Sequence, residues 1–571
     1  MTKILLYNVN FKDDMPNITF TPLAFILLEE YLKQNSKNSK ILRYDFIVDQ
    51  KDSKELDNYY TFDIVGFQLT YPNAEIILEM LKKWDQAGNK PFIVLGGVLA
   101  TAIALKLIEK YSFIDVIVVG EGEHSFFLLT QYINGTKQLS DIPGIVFRNT
   151  NNIPVYNKNK EIIDLGKTNI PQRLFFHSLP KSEVQKNSIR IQSARGCLGR
   201  CTFCLNSYKN RLDKVTTKVW RGMPPERVID EIEYLHNEFG VKLINFVDPT
   251  FEDPGKKGKL RIERIANLLL EKDIQISFKA NIRAETFTDD DIDLLYLLKK
   301  AGMDFVVLGV EACTNEELKL LGKNADIDTI TRSFYRLSEM NCFTILVGYI
   351  PLHPYTTIES LENSYEYLYK LKLSYAYHIF RNVLIPLRGT NIYDKLLEDG
   401  FILNSDDLIA VPRFKFKDKQ VSVINDSIQK LKIENPVLSN FHQKTLDAFN
   451  IIHRSTNRMF KNMLSTDDEI SASFDFYKKS IKDMFSFLCD EYYSFQKEII
   501  LMAKDKWDVD TFDNLAKEKI INNTVSQLLI LEKKTDQYID LVNSKGYDVD
   551  VFETKSWGSY CQNVQKISTM S

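Results

Sequence analysis

The sequence feature that most constrains this chain is a loop with three closely spaced cysteines, Cys197, Cys201 and Cys204, in a Cys-x3-Cys-x2-Cys pattern. Such a loop offers three thiolates to one compact metal centre. A structural zinc site usually takes four protein ligands, and a ferredoxin-type cluster takes four cysteines. The next cysteines, Cys313 and Cys342, lie more than a hundred residues away. The triad therefore predicts a four-iron cluster with one iron open to a small molecule, with an incomplete zinc site or three buried thiols as alternatives.

The first part of the chain alternates short apolar strands with amphipathic helices. This alternation predicts an α/β domain over residues 1–145 with an open, doubly wound parallel sheet, whose ligands bind at the carboxyl ends of the strands. Glycines follow two predicted strands, in Gly96-Gly97 and in Gly120-Glu121-Gly122-Glu123. Glycine lets a bulky ligand approach the backbone, although tight βα turns also use glycine for structural reasons.

A second series of βα units follows a predicted linker. Residues 146–187 show little periodicity and contain three prolines. Over residues 188–390 the pattern predicts six strands, the last at 376–384, and therefore a partial, TIM-like (βα)6 barrel with its chemistry at the carboxyl ends of the strands. The cysteine loop directly follows the first of these strands, where a catalytic loop is expected.

Helical patterns dominate the last part of the chain. We therefore expect a mostly α-helical C-terminal domain over residues 391–571. The aromatic residues between Phe474 and Phe495 recur along one such pattern, which indicates helix core.

Composition excludes several classes of protein. Hydrophobic residues make up 44% of the 571 residues and charged residues 26%, and the net charge of -3 gives no general attraction to nucleic acid or to anionic membranes. The short apolar run at the N-terminus lacks the length of a signal peptide. None of the seven cysteines precedes Cys197, so the chain has no disulfide framework. We expect a cytoplasmic protein with neither a nucleic-acid nor a membrane partner.

The cysteine pattern, with Phe203 between the last two cysteines, resembles the cluster-binding signature of the radical S-adenosylmethionine (radical SAM) enzymes. The resemblance implies a [4Fe-4S] cluster ligated by the three cysteines as thiolates. It also implies that the open iron chelates S-adenosylmethionine (SAM) and that Phe203 lies beside the adenine.

The segments Asp63-Ile64-Val65-Gly66-Phe67, Leu95-Gly96-Gly97-Val98-Leu99-Ala100-Thr101 and Gly120-Glu121-Gly122-Glu123 together look like a cobalamin-binding domain. A Rossmann-like domain of this kind precedes the core in the cobalamin-dependent radical SAM family, and the resemblance covers nearly all of residues 1–388. No histidine precedes His124, so cobalamin is expected to bind base-off without a histidine ligand. The residues implied in cobalamin binding are Gln68, Leu69, Thr70, Tyr71, Gly96, Gly97, Val98, Gly120, Glu121, Gly122 and Glu123.

Other residues at predicted strand ends are candidates for binding SAM. Glu311 resembles the family glutamate that contacts the ribose hydroxyls. Asn281 and Arg283 suit the carboxylate of the cofactor, with a salt bridge at the rim as the alternative. The same resemblance implies roles for three more residues, namely Asp248 and Thr250 at the methionyl amino group or substrate, and Gly348 at the adenine side.

The resemblance implies an enzyme that cleaves SAM reductively to a 5′-deoxyadenosyl radical, with an external electron donor such as flavodoxin or ferredoxin. With cobalamin, it implies transfer of a methyl group from methylcobalamin to an unactivated carbon of a peptide or natural-product substrate. In the family, a helical extension often caps the barrel and holds the substrate.

Two alternatives remain open. The first is a rearrangement, cyclisation or epimerisation without methylation, in which Cys313 donates hydrogen, because strand alternation from Glu311 would direct its thiol to the barrel mouth. The second, from a different class, is a non-catalytic scaffold that binds a ligand.

Overall fold

A computed structural model of the chain describes residues 2–11, 22–36, 39–48, 58–158, 162–212, 219–252, 255–460 and 463–547. The N-terminal sheet has the strand order β2-β1-β3-β4-β5-β6-β7. Its first five strands are parallel. They are β1 (Thr2–Phe11), β2 (Ser39–Val48), β3 (Ile64–Gln68), β4 (Phe92–Gly96) and β5 (Val116–Val118).

Helices cover both faces of this sheet, because alternate strand residues point to opposite sides. Leu5 and Val65 pack towards one layer of helices, whereas Ile4 and Val94 pack towards the other. The domain is therefore doubly wound, as predicted. Its helices are Leu23–Asn35, Ala74–Gln86, Val98–Ala102, Ala104–Lys110 and Glu123–Ile133.

The sheet continues into the segment predicted as a linker. Two antiparallel strands, β6 (Ile145–Arg148) and β7 (Pro154–Asn157), extend it beyond β5. The guanidinium of Arg148 donates to the carbonyl oxygens of Ile108, Tyr111 and Ile114 at 2.7 to 3.0 Å and so fixes β6 against the domain. Short apolar runs between turns thus form strands where periodicity alone indicated none. Helix Lys181–Gln185 leads from there to the barrel.

The second sheet has the order β14-β13-β12-β11-β8, and all of its pairs are parallel. Its strands are β8 (Ile189–Ile191), β11 (Leu243–Phe246), β12 (Ser277–Arg283), β13 (Met303–Glu311) and β14 (Thr344–Tyr349). A separate hairpin joins β9 (Ala194–Gly196) to β10 (Trp220–Gly222). The barrel's helices are Leu205–Leu212, Pro225–Phe239, Lys256–Glu271, Ile292–Ala301, Asn315–Leu320, Ile327–Met340 and Ile358–Lys370.

The prediction of a sixth strand at 376–384 was wrong. The segment forms a short helix, Tyr377–Phe380, and pairs with the barrel only through an isolated parallel bridge between Val383 and Leu352. Tyr377 and Phe380 are three residues apart and pack edge to face, with ring centroids 5.0 Å apart. Burial is almost continuous over residues 376–381, so the apolar pattern did not distinguish a short buried helix from a strand.

The C-terminal region is mostly helical in its described part, as predicted, apart from residues 399–418, where Ile402 and Phe414 form an antiparallel bridge. Its helices are Asn391–Glu398, Lys419–Glu434, Val437–Ser455, Met463–Thr466, Asp468–Lys504, Val509–Ala516 and Asn523–Ser544, with a π-helical segment at Lys517–Asn522. Helix Val437–Ser455 lies against the open edge of the barrel, where its Leu446 packs on Phe305 and Leu346. None of the helices that the structure describes has the length and apolar character needed to span a membrane.

Candidate active site

The three cysteines lie on a loop between β9 and β10 that is anchored at both ends. Gly196 has a φ of +88°, and a Cβ atom at this position would collide with the carbonyl oxygen of Val219, so only glycine fits. Further along, the backbone N–H and the hydroxyl of Thr202 donate to the carbonyl oxygens of Leu321 and Leu320 at 2.9 and 2.8 Å. The loop is therefore fixed to the β9–β10 hairpin and to a turn beyond β13.

The sulfurs of two of the three cysteines lie close to Gly199. A Cβ atom at Gly199 would lie 3.3 Å from the sulfur of Cys197 and 3.7 Å from that of Cys201. The backbone N–H of Gly199 also donates to the Cys197 sulfur at 3.3 Å. Thiolates are the usual ligands of iron–sulfur clusters, so this donor set fits such a cluster. Among the residues that the structure describes, no group of three His, Cys, Asp or Glu side chains is arranged to hold a single metal ion.

Basic residues lie close to the thiols. Burial raises the pKa of the Cys197 thiol, and it raises that of Cys201 to about 12. The positive charge of Arg283 opposes the shift at Cys197, and that of Lys323 opposes it at Cys201. These cations would stabilise thiolates once a metal displaces their protons.

Glu311 ends β13 in a left-handed conformation with a φ of +71°, where the register with β14 shifts. Its carboxylate lies over two glycines, because Cβ atoms at Gly309 and Gly348 would fall 2.6 and 3.4 Å from its oxygens. Lys323 Nζ is 3.9 Å from Glu311 Oε1. Burial raises the pKa of Glu311, and Lys323 opposes that shift. The structure thus brings Glu311 and Gly348 together, with Lys323 between this carboxylate and Cys201.

A second group of charges lies at the end of β12. Arg283 Nε is 3.3 Å from Glu285 Oε1, and the backbone N–H of Arg283 donates to Glu252 Oε1 at 2.9 Å. Glu252 and Glu285 each keep one buried carboxylate oxygen without a hydrogen-bond partner. Burial raises the pKa of Glu252 to about 7. The sequence analysis missed Glu252, although an acidic residue in the loop that follows the apolar strand β11 was a usable signal.

Three other predicted residues form hydrogen bonds within the chain. The Asp248 carboxylate accepts hydrogen bonds from the Ser193 hydroxyl and from the backbone N–H groups of Ser193 and Ala194, at 2.5 to 3.0 Å. Asn281 Nδ2 donates to the carbonyl oxygen of Asp248 at 2.7 Å, and the Thr250 hydroxyl donates to that of Glu252 at 2.6 Å. These contacts position the entry to the cysteine loop. Phe203 packs between the barrel core and the C-terminal residues around Leu396.

The structure does not place Cys313 at the barrel mouth. Its sulfur is 3.6 Å from Glu317 Oε2 and lies beside the Tyr349 hydroxyl. That hydroxyl bonds to Ser364 of an outer helix at 2.6 Å. The left-handed φ of Glu311 and the register shift interrupt the alternation on which the prediction depended. Cys313 therefore lies between the sheet and its outer helices, and burial raises the pKa of its thiol to about 12.

In the N-terminal domain, the loops after β3 and β4 meet. Leu69 N–H donates to the Gly96 carbonyl oxygen at 2.8 Å, and Thr70 N–H donates to Asn73 Oδ1 at 2.8 Å. A Cβ atom at Gly96 would have no other atom within 4 Å, so this strand end borders open space. Gln68 Oε1 is buried there without a hydrogen-bond partner. This glycine and this orphaned amide oxygen fit a large polar ligand.

Neighbouring residues of these loops serve the packing. Gly97, with a φ of +94°, allows the backbone of Leu69 to approach closely, and Val98 begins the next helix. The Tyr71 hydroxyl accepts a hydrogen bond from the backbone N–H of Arg388 at 3.1 Å, and burial raises its pKa to about 12. Tyr71 therefore joins this loop to the segment that follows the barrel.

The Gly120-Glu121-Gly122-Glu123 loop, predicted to contact cobalamin, binds the barrel through its carboxylates. Arg195 donates to Glu121 at 2.9 Å and to Glu123, and Arg221 also pairs with Glu121. The side chains of Arg195 and Glu123 are only 12% and 9% exposed. Gly120, with a φ of +82°, and Gly122 shape the turn. This largely buried ion-pair network joins the N-terminal domain to the strand that leads into the cysteine loop.

Comparison with known proteins agrees with this geometry. Residues 191–368 match the family model of the radical SAM superfamily. An uncharacterized methyltransferase of Pyrococcus horikoshii is 26% identical over 349 residues, which are 60% of this chain and 71% of that protein. An anaerobic magnesium-protoporphyrin IX monomethyl ester cyclase of Synechocystis is 27% identical over 266 residues, 44% of this chain and 48% of the relative. The chain thus spans about half the length of that cyclase.

The overall fold also has a counterpart among solved structures. The cobalamin-dependent S-adenosylmethionine radical enzyme OxsB, solved with aqua-cobalamin and S-adenosylmethionine bound, superimposes with a TM-score of 0.65 at 17% identity. The match covers 100% of this chain and 84% of OxsB. The likeness extends over the doubly wound domain, the barrel and the C-terminal helices.

Proposed function

We infer that this chain is a radical SAM enzyme, because residues 191–368 match that superfamily and the fold is that of a cobalamin-dependent member, and that it cleaves SAM reductively and methylates an unactivated carbon. The observation that carries the proposal is the link between the two ligand-binding regions. Arg195, two residues before Cys197, pairs with Glu121 and Glu123 of the N-terminal domain. A ligand at the strand ends of that domain would therefore lie beside the cysteine loop.

The residues around the loop fit the cluster and SAM. Cys197, Cys201 and Cys204 would hold the cluster, and Glu311 would accept hydrogen bonds from the ribose hydroxyls over Gly348. Glu252 and Glu285 offer unpartnered carboxylate oxygens that suit the methionyl ammonium group. Their charge would orient the cofactor and favour its ammonium form.

The residues Gln68 to Tyr71, with Gly96, would form the cobalamin site. With no histidine among them, they would hold cobalamin base-off, and Gln68 could hydrogen-bond its polar groups. Together the three bound groups would supply the electron, the radical and the methyl group, while the protein positions them and excludes water.

The substrate would be a small molecule or peptide held beneath the C-terminal helices. The electron would come from an external carrier such as flavodoxin or ferredoxin. A cleft beside the cysteine loop, lined by Arg200, Lys319 and Lys323, supports this role, because an acidic carrier would be attracted to its positive charge.

Anaerobic reconstitution with iron, sulfide and cobalamin, followed by incubation with SAM, reduced flavodoxin and candidate small-molecule or peptide substrates, tests the proposal. We expect bound cobalamin, deoxyadenosine formation from SAM and a product heavier by one methyl group. The Cys201→Ala variant should lose the cluster and all SAM cleavage, whereas Cys342→Ala, far from the loop in sequence, should keep both. Iron and sulfide binding without any SAM cleavage would support the scaffold alternative. Deoxyadenosine without a mass gain would indicate cyclisation, rearrangement or epimerisation.

A further inference from the structure

Two histidines meet where the C-terminal helices close the barrel. His378 lies on helix Tyr377–Phe380 and His442 on helix Val437–Ser455, with their ring centroids 3.5 Å apart. Both ring nitrogens of His378 and Nε2 of His442 are buried without a hydrogen-bond partner. An unsatisfied buried polar group costs free energy, so three such nitrogens in one place indicate a missing ligand.

Arg381, three residues after His378, lies near both imidazoles, and Lys432 lies near Arg381. Arg381 and Lys432 are only 5% and 7% exposed. Helix Lys419–Glu434 brings Lys432 to the site, because the Tyr377 hydroxyl donates to Ile428 O at 2.9 Å. We call His378, Arg381, Lys432 and His442 the cationic site.

The charges within the cationic site repel one another. Burial lowers the pKa of His378 and His442, and the positive charge of Arg381 lowers both further. Burial and Arg381 also lower the pKa of Lys432 to about 7. An anion between these groups would relieve this repulsion, and neutral imidazoles would still donate N–H groups to it.

The position of the cationic site follows from the path of helix Val437–Ser455. Near its end, Arg454 lies 3.8 Å from Asp304, at the start of β13 and thus at the bottom of the barrel. Leu446 packs on Phe305 and Leu346 further up. His442 is one turn earlier still, and therefore nearer the carboxyl ends of the strands.

A hydrogen bond from the residue next to Arg381 supports this position along the barrel axis. Asn382, next to Arg381, donates from Nδ2 to the carbonyl oxygen of Tyr349, the last residue of β14, at 2.7 Å. The cationic site therefore lies at the level of the strand ends that also carry Glu311 and Gly348.

We propose that the cationic site binds an anionic group of the substrate, a phosphate ester or a carboxylate. This inference rests on the proposed function, since it defines the substrate class of the same barrel. Arg381 and Lys432 would supply the positive charge, and the imidazoles would donate N–H groups to the anion oxygens.

Equilibrium dialysis of the reconstituted enzyme against inorganic phosphate, acetate and glycerol tests the proposal. We expect saturable binding of one of the two anions and none of glycerol, and the preferred anion distinguishes a phosphate ester from a carboxylate. In Lys432→Met, anion binding should weaken about tenfold or more. Lys430→Met removes an exposed lysine of the same helix, 52% exposed, and should bind like the parent protein.

A second variant separates binding from folding. His378→Leu should bind the anion more weakly without a fall in melting temperature, because its ring nitrogens have no hydrogen bonds to lose. A lower melting temperature with unchanged anion binding would assign the histidines a structural role and overturn the proposal. Equal anion binding in Lys432→Met and the parent protein would also overturn it. SAM cleavage in the same samples tests the proposed function separately, since phosphate binding does not require a cluster.

Discussion

The two sides of the barrel opening differ in how their buried charges are arranged. On the cysteine side, cations and carboxylates alternate: Arg195 meets Glu123, and Lys323 lies between Glu311 and Cys201. On the side closed by the C-terminal helices, Arg381 lies near two buried imidazoles and Lys432 lies near Arg381. Opposite charges offset one another's desolvation and hold the architecture, whereas like charges are costly until an anion joins them. Under the proposal above, the first side is stabilised within the protein, whereas the second would also bind an anionic group of the substrate.

The largest effect should come from breaking a pair on the cysteine side. Arg195→Met leaves the buried carboxylate of Glu123 without its cation, which should lower the free energy of unfolding by about 3–5 kcal/mol. Urea unfolding followed by tryptophan fluorescence would measure the loss. Arg264→Met is the control, because Arg264 is 45% exposed in its pair with Glu226 and should cost less than about 1 kcal/mol. Equal losses in the two variants would mean that the junction does not depend on this pair.

On the other side, replacing Lys432 should remove a destabilisation of the folded protein that is largest near and below pH 7 and disappears as the pH rises. The pKa of Lys432 is lowered to about 7 in the folded protein but stays near its usual ~10.4 in the unfolded chain. Between these values only the unfolded chain keeps the proton, so the parent protein should gain stability as pH rises from 7 towards 10. Lys432→Met should lack that gain, on the order of 2–4 kcal/mol.

Thermal unfolding across a pH series in phosphate-free buffer checks this difference, with Lys430→Met as the control. A parallel pH dependence of stability in the parent protein and in Lys432→Met would show that the charged form of Lys432 does not destabilise the folded protein. The two sides would then not differ as described.

A smaller effect is expected at Glu311, whose paired carboxylate would contact the cofactor under the proposed function. Glu311→Gln keeps the shape of the side chain but loses its charge, so we expect the KM for SAM to rise about tenfold while the iron content stays unchanged. Glu317→Gln is the control, because Glu317 lies beside Cys313 and His353 behind the sheet. An unchanged KM in Glu311→Gln would exclude contact with the ribose.

The sequence predicted features that depend on local pattern. Apolar runs and glycine-ended strands were enough for the doubly wound sheet, and the cysteine spacing was enough to place three thiols on one loop after the first barrel strand. Features that depend on distant contacts were not predictable. The pairing of Arg195 with Glu121 and Glu123 joins residues more than seventy positions apart. His378 and His442 likewise meet only through packing of the C-terminal helices.

One error had a purely local cause that the sequence did not reveal. The alternation of side chains along β13 was extended through Glu311 to Cys313, but the left-handed backbone at Glu311 breaks it. A non-glycine residue in this conformation is uncommon, and it marks a constraint imposed by the surrounding fold. The strain occurs at the residue whose carboxylate is aimed over Gly309 and Gly348.

The smallest effect is expected at Cys313. Its substitution tests whether a cysteine outside the three-cysteine loop takes part in the reaction. Its thiol lies behind the sheet beside Glu317 and Tyr349, away from the site where the radical would form. Cys313→Ser should therefore change turnover less than about twofold, because serine is close in size and can donate to the same carboxylate. Reaction in D2O with mass analysis of the product provides the measurement. Loss of turnover, together with a parent product that gains deuterium but no methyl group, would instead identify Cys313 as a hydrogen donor and the reaction as an epimerisation.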